Sequence, residues 1–316
     1  SPAVNVRWPG FMALKKQGIY TKLSFYFPVW FDIKPNYGIE GYDNAKNKKP
    51  FALLYFDARM QEIYKSWARE LLTANNPYTN LSFAKEPAVG IVEIINEDSY
   101  FFWTFSDSNI PELQMARLEK IFGQWLSKKY GSVEKALAAW PAAKHKRDDA
   151  ASGRVALHNA WDMTGAGAKA GPPDKRKRIA DQVQFLTEQQ RGFYVEIKRY
   201  FNQDLGLKCP VSASNWTTAD DVTLGALERY SYAAAEVIDK HSYYGGEHKG
   251  PRAGYSVSSG DTFKDRVSVL EPATPPLQFI QYDGHPHIIS EIGWTMPNRF
   301  RADGTSGRSW RITGAH

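Results

Sequence analysis

One cysteine, Cys209, stands in 316 residues, which excludes an intrachain disulfide and any metal site built on several thiolates. No run approaches the roughly 18 uninterrupted apolar residues of a membrane-spanning helix, and no charged-then-apolar leader opens the sequence. No membrane association is expected, and a secreted or periplasmic location stays open. Glycine-rich phosphate loops are missing, as is a serine on a G-x-S-x-G turn, so nucleotide-binding and serine-hydrolase chemistry drop out. Charge of one sign is only mildly in excess, with 40 Lys and Arg against 34 Asp and Glu. The excess gathers in Lys144-His-Lys-Arg147 and Lys175-Arg-Lys-Arg178, which read as solvated edges, the second behind Asp174 as a helix N-cap. Without a recognised module or a basic stripe along one face, no nucleic-acid partner is expected.

What the chain has is alternation. Short apolar runs are separated by amphipathic stretches with apolar residues spaced by three and four, the pattern of parallel strands joined by helical crossovers. The spacing predicts strands over Thr21–Phe27, Ala88–Asn96, Leu207–Ser214, Val237–Tyr244 and His287–Glu291. Helices are predicted over Asp57–Leu72, Glu112–Tyr130, Val133–Trp140, Asp174–Gly206 and Leu224–Ala235. The size and the alternation suit a single α/β domain over residues 1–316, a (β/α)8 TIM barrel with an inserted helical segment at about 104–173. Most of the strands end in polar or aromatic residues, as the ligand-facing rim of such a barrel requires.

Ile91-Val-Glu-Ile-Ile-Asn-Glu97 is an apolar strand that stops on a carboxylate, and Ile288-Ile-Ser-Glu291 does the same. At one rim two such glutamates lie side by side although far apart in sequence, and a pair of carboxyl groups is the equipment for cleaving a glycosidic bond. A lone glutamate past a strand more often caps a helix or pairs with a lysine; two in matching positions favour chemistry. Glu93 shares the inward parity of Glu97 and reads as a residue paired inside the barrel. Asn215, Trp216 and Trp294 follow strand ends, where indole faces can stack on sugar rings. The two imidazoles of His285-Pro-His287 have no third ligand at metal-binding spacing, so no metal and no cofactor is expected.

Asn96-Glu97 after an apolar strand, His241-Ser-Tyr243 on a later one and Ser290-Glu291 on the next resemble the fourth-, sixth- and seventh-strand signatures of clan A of the glycoside hydrolases. These are retaining (β/α)8-barrel enzymes that include cellulases, mannanases and β-galactosidases. Trp125-Leu-Ser-Lys-Lys-Tyr-Gly131 with Ala138-Ala-Trp140 is similar to a segment of the family 42 β-galactosidases. The resemblance implies Glu97 as acid/base, Glu291 as nucleophile, Asn96 as donor to the sugar 2-hydroxyl, Tyr243 as the phenol that orients the nucleophile, and His241 in the same cleft. It implies a carbohydrate substrate cleaved with retention at a β-glycosidic bond. Five strands are recognisable where a complete barrel has eight, so the barrel is expected to be incomplete or irregular at its first two strands and its last. The alternative function is a barrel that binds carbohydrate without turnover, or a fragment of a larger glycosidase.

Overall fold

The computed structural model describes residues 8–244, 246–249, 262–265, 282 and 284–294. Five parallel strands stand side by side in chain order. β1 (Thr21–Ser24) pairs with β2 (Val89–Glu93), and β2 with β3 (Val211–Ser212). A parallel bridge from Ser212 to Val237 leads to β4 (Ile238–Tyr244), which pairs along its length with β7 (His287–Trp294). A short antiparallel hairpin, β5 (Gly246–Lys249) with β6 (Thr262–Asp265), lies between them in sequence. All five runs predicted as strands contribute one to the row. Among the described residues the row does not close into a barrel of eight.

Helices supply the crossovers. After a short α1 (Trp8–Lys16), α2 (Ala58–Thr73) links β1 to β2; its N-cap Asp57 accepts the Met60 amide at 2.7 Å, and it buries Met60, Tyr64, Ala68, Leu71 and Leu72. The predicted insertion is helical, with α3 (Glu112–Tyr130), α4 (Val133–Ala138) and the short α5 (Gly165–Lys169). α3 lays Phe122 against Phe185 of α6 (Lys175–Arg199), ring centroids 5.0 Å apart. α6 runs on through a π-helical turn at Tyr200–Asp204, and α7 (Gly225–Tyr232) joins β3 to β4.

The basic runs leave Lys144, Lys146, Arg176 and Lys177 exposed, as expected of solvated edges, but their closing arginines turn inward. Arg178 is fully buried, its guanidinium forked onto both carboxylate oxygens of Asp148 at 2.7 Å, with the carbonyls of Ala143 and Ala156 taking further donors. Arg147 pairs with the buried Glu119 and with Asp107. Both arginines therefore pin the inserted segment to the body, since a buried guanidinium is tolerated only when its fork is filled. Asp174 does not cap α6; its carboxylate accepts the Ala142 amide at 2.9 Å instead.

The row is strongly curled. Neighbouring strands lie about 4.8 Å apart, so a flat row would put β1 and β7 roughly 19 Å from each other, beyond one lysine side chain. Yet Lys22 of β1 donates to Glu93 of β2 at 2.5 Å, to Asp239 of β4 and to Ser290 Oγ of β7 at 2.8 Å. Glu93 is fully buried and Asp239 nearly so. Burial pulls the Lys22 pKa down, but the two carboxylates outweigh it and hold the ammonium. One ammonium does not serve both anions equally: burial pushes Glu93 up and Lys22 brings it below the usual range, whereas Asp239 stays raised by its burial and by the Glu93 charge beside it. Removing the lysine leaves two buried acids with no counter-charge. Lys22→Met is expected to lower unfolding free energy by about 3–5 kcal/mol, measured by urea denaturation, and adding Glu93→Gln and Asp239→Asn to it is expected to restore part of that loss. Additive losses across the three substitutions would refute the triad.

Candidate active site

Glu97, His241 and Glu291 meet at one place. His241 Nδ1 lies 2.7 Å from a Glu97 oxygen and 3.5 Å from a Glu291 oxygen, and those oxygens come within 4.8 Å of each other. β2 carries the first residue past its end, and β4 and β7 carry the other two directly opposite each other in register. Two local devices create this arrangement.

The first is a bulge. Along β4 and β7 the pairing steps from Lys240 with Ile289 to His241 with Glu291, skipping Ser290. Successive side chains on a strand normally face opposite ways; the extra residue lets Ser290 and Glu291 both meet His241. Ser290 Oγ lies 3.1 Å from His241 Nε2 and 2.6 Å from Asp239 Oδ2. The donor inventory then fixes the tautomer. Lys22 can only donate to Ser290, and the Asp239 carboxylate accepts the serine proton, so Ser290 accepts the Nε2–H of His241. Nδ1 is left facing two carboxylates, and its 2.7 Å contact with Glu97 needs one proton, which the two groups share.

The second device is backbone strain. Glu97 has φ of +50°, a left-handed conformation that is unusual for a residue with a long side chain and costs of order 1–3 kcal/mol. Asn215 pins it: Oδ1 accepts the Glu97 amide at 3.0 Å, while Nδ2 donates to Glu93 at 2.6 Å and to Asn96 Oδ1 at 3.0 Å. Asn215 is fully buried with its amide group wholly engaged by protein, so it shapes the turn rather than touching a ligand. Asn96 is 3% exposed, and its Nδ2 is buried without a hydrogen-bond partner among the described residues. Trp216 is half-buried, packs edge-on to Phe102 at 5.2 Å, and has an indole N–H without an acceptor. β4 and β7 carry Tyr243 and Trp294, whose side chains lie outside the described residues.

Two sets of donors approach the spacing of a cation site, Glu93–Asp239–His241 and Glu97–His241–Glu291. The Lys22 ammonium already fills the first. In the second, the direct 2.7 Å contact is that of a hydrogen bond, and an ion held between its two atoms at 2.0–2.2 Å from each would separate them further. Sequence reasoning missed Lys22, Ser24, Asp239 and Ser290 as part of this constellation. Ser24 Oγ donates to Glu93 at 2.5 Å. Lys22 with Ser24 and Asp239 with His241 alternate along their strands, so polar residues at period two inside otherwise apolar strands were the available signal.

No family model matches the chain, and no curated protein matches it. Among solved structures, one described as the structural analysis of an exo-β-agarase is similar to this chain, at 16% identity with a TM-score of 0.38. The likeness covers 60% of this chain and 23% of that one, so it spans less than a quarter of the agarase.

Behind the strained turn lie two buried acids. Asp98 accepts the Ala52 amide at 2.8 Å, and burial pushes its pKa up to about 7. Glu228 accepts Ser99 Oγ at 2.7 Å and Gln190 Nε2 at 2.9 Å; burial, augmented by the Asp98 charge, takes it to about 7 as well. A carboxyl whose pKa is raised on folding stabilises the protein fully below its unfolded value near 4 and loses that contribution as pH rises through 7. Stability is therefore expected to fall between pH 4 and 7 by roughly 1.4 kcal/mol per unit for each such group. Glu228→Gln, which keeps the shape and cannot ionise, is expected to flatten that slope in urea denaturation at pH 5, 6 and 7. A slope unchanged by the substitution would assign the effect elsewhere.

Proposed function

We propose that this chain is a retaining β-glycosidase acting on an oligo- or polysaccharide, and that its curled row of strands is part of a (β/α)8 barrel wall. The observation that carries the reading is the convergence of Glu97 and Glu291 on one imidazole, with oxygens inside 4.8 Å. Retaining enzymes hold their carboxyl groups about 5–5.5 Å apart and inverting ones about 6.5–9.5 Å, the wider gap leaving room for a water. Oxygens of Glu97 and Glu291 within 4.8 Å of each other support retention over inversion.

In the first step the Glu291 carboxylate attacks the anomeric carbon, the bond to the leaving oxygen breaks, and that oxygen takes the proton held by Glu97. The product is a glycosyl ester on Glu291. In the second step Glu97, now a carboxylate, takes a proton from water as the water oxygen attacks the same carbon, and Glu291 leaves as a carboxylate. His241 keeps the acid's proton in place between turnovers, because its Nε2–H is committed to Ser290 and its Nδ1 faces Glu97. Asn96, with its unengaged Nδ2, donates to the sugar 2-hydroxyl. Tyr243 orients Glu291, and Trp216 and Trp294 pack against sugar rings. Asn215 acts through Glu97, by holding its backbone.

Glu291→Gln is expected to abolish turnover with little loss of stability. Glu97→Ala is expected to lose about 10²–10⁴-fold on unactivated β-glycosides and far less on dinitrophenyl β-glycosides, whose leaving group needs no proton. Equal loss on both substrate types would remove Glu97 as the acid. Inversion at the anomeric centre, followed by proton NMR of the released sugar, would overturn the two-step route.

A further inference from the structure

We propose that Asp239, with Lys22 behind it, is a positioning residue for the proton of Glu97: through Ser290 it decides which ring nitrogen of His241 carries hydrogen, and so whether Glu97 is loaded as an acid. In its kinetic consequence this rests on the glycosidase reading above, and in its structure on one chain of contacts. That chain runs Lys22, Asp239, Ser290, His241, Glu97, and it joins β1, β4 and β7 to the residue past the end of β2. Asp239 is buried two residues before His241 on β4, and Lys22, Glu93 and Ser290 face it from β1, β2 and β7.

The two oxygens of Asp239 have different duties. Oδ1 accepts the backbone amides of Lys240 at 2.8 Å and Ser290 at 3.0 Å, so it is held as an acceptor whatever the charge of the group. Oδ2 accepts from Lys22 and from Ser290 Oγ, the latter at 2.6 Å. A proton gained by Asp239 therefore sits on Oδ2. Ser290 Oγ is equally committed: it accepts from Lys22 at 2.8 Å and from the Nε2–H of His241 at 3.1 Å, and it spends its single hydrogen on Asp239. With one hydrogen and two lone pairs, a hydroxyl has no place for a fourth partner.

Two arrangements of the same protons fit these contacts. In the first, Asp239 is a carboxylate, Ser290 donates to it, His241 carries Nε2–H, and the proton shared between Nδ1 and Glu97 is available to a leaving group. In the second, the Nε2 proton passes to Ser290 Oγ while the serine proton passes to Asp239 Oδ2. Ser290 then donates to Nε2, and the remaining proton stays on Nδ1, opposite a Glu97 carboxylate. No proton enters or leaves, and one negative charge has moved from Asp239 to Glu97. The acid is then empty. Burial, with the Glu93 charge added to it, keeps Asp239 raised, which makes Oδ2 a competitor for the proton. The Lys22 ammonium, paired with the Asp239 carboxylate, weights the balance toward the first arrangement, because an adjacent opposite charge favours the ionised form.

Asp239→Asn tests this in the full chain with the side-chain shape kept, and Lys22 retains Glu93 as its counter-charge. The new amide's oxygen takes over the two backbone amides, so its nitrogen stands where Oδ2 was, donates to Ser290 and turns the serine hydrogen to Nε2. The expected loss is about 10²-fold on unactivated β-glycosides and far less on dinitrophenyl β-glycosides. A residue that only supported the fold would cost both substrates equally. Nitrogen-15 NMR of the histidine-labelled chain, with the His241 signals assigned by their disappearance in His241→Gln, reads the tautomer without any turnover. A hydrogen on Nε2 is expected in the unmodified chain, and in Asp239→Asn none there and one on Nδ1. Should Asp239→Asn not fold, Ser290→Ala, which removes only the hydroxyl between Asp239 and His241, takes its place; it is expected to lose the single tautomer and to show the same split between substrates in smaller measure. Equal loss on both substrates, Nε2 without hydrogen in the unmodified chain, or His241 signals unaltered by the substitution would overturn the proposal. The two readings separate. A tautomer that changes as expected, with no β-glycoside hydrolysed by the unmodified chain, would keep this role of Asp239 and remove the glycosidase. Loss confined to unactivated substrates in Glu97→Ala but not in Asp239→Asn would keep the glycosidase and remove this role.

Discussion

The ammonium of Lys22 is the contact on which the rest of the structure turns. It gathers Glu93, Asp239 and Ser290 from three other strands, and only a curled row allows that. A flat sheet would leave Lys22 with Glu93 on the neighbouring strand but would take the ammonium out of reach of Asp239 and Ser290, leaving the Asp239 carboxylate buried without a counter-charge at several kcal/mol. The curl in turn places the ends of β2, β4 and β7 around a common axis, which is what allows residues from three strands to meet. A purely apolar interior would be at least as stable and would not select this curvature over a flatter one.

Above the lysine the same polar column passes into the site. Ser290 joins Asp239 to His241, and Asn215 joins Glu93 to the Glu97 backbone. Each link consumes a donor or acceptor that would otherwise be free to turn, so the two glutamates are held by protein on both sides of the imidazole. The strain at Glu97 and the bulge at Ser290 are local costs, and the buried network over-determines both.

Much of the scaffold was legible because periodicity is written residue by residue. The spacing over Glu112–Tyr130 coincides with α3, and the five apolar runs are the five strands of the row. Glu97 and Glu291 were legible as carboxylates that end such runs, and their meeting follows from parallel strands sharing a rim. The bulge was not legible, since nothing in Ile-Ile-Ser-Glu tells which residue the ladder skips; that depends on the curl. Nor was the burial of Arg178, because a guanidinium in a basic run looks solvated until Asp148, thirty residues earlier, fills its fork.

The charge balance of the column bears on which chemistry it suits. Glu93, Asp239, Glu97 and Glu291 are four acids around one ammonium and one imidazole, and burial, with the Glu93 charge added to it, keeps the pKa of Asp239 raised in spite of Lys22. A cleft with uncompensated negative charge stabilises a centre that becomes positive as it reacts and repels one that becomes negative. Acyl transfer, which builds an oxyanion, is the wrong reaction for such a place. Glycosyl transfer passes through an oxocarbenium-like state, and on the proposed reading that developing positive charge would form between Glu97 and Glu291, above a column whose excess charge has the sign to attract it.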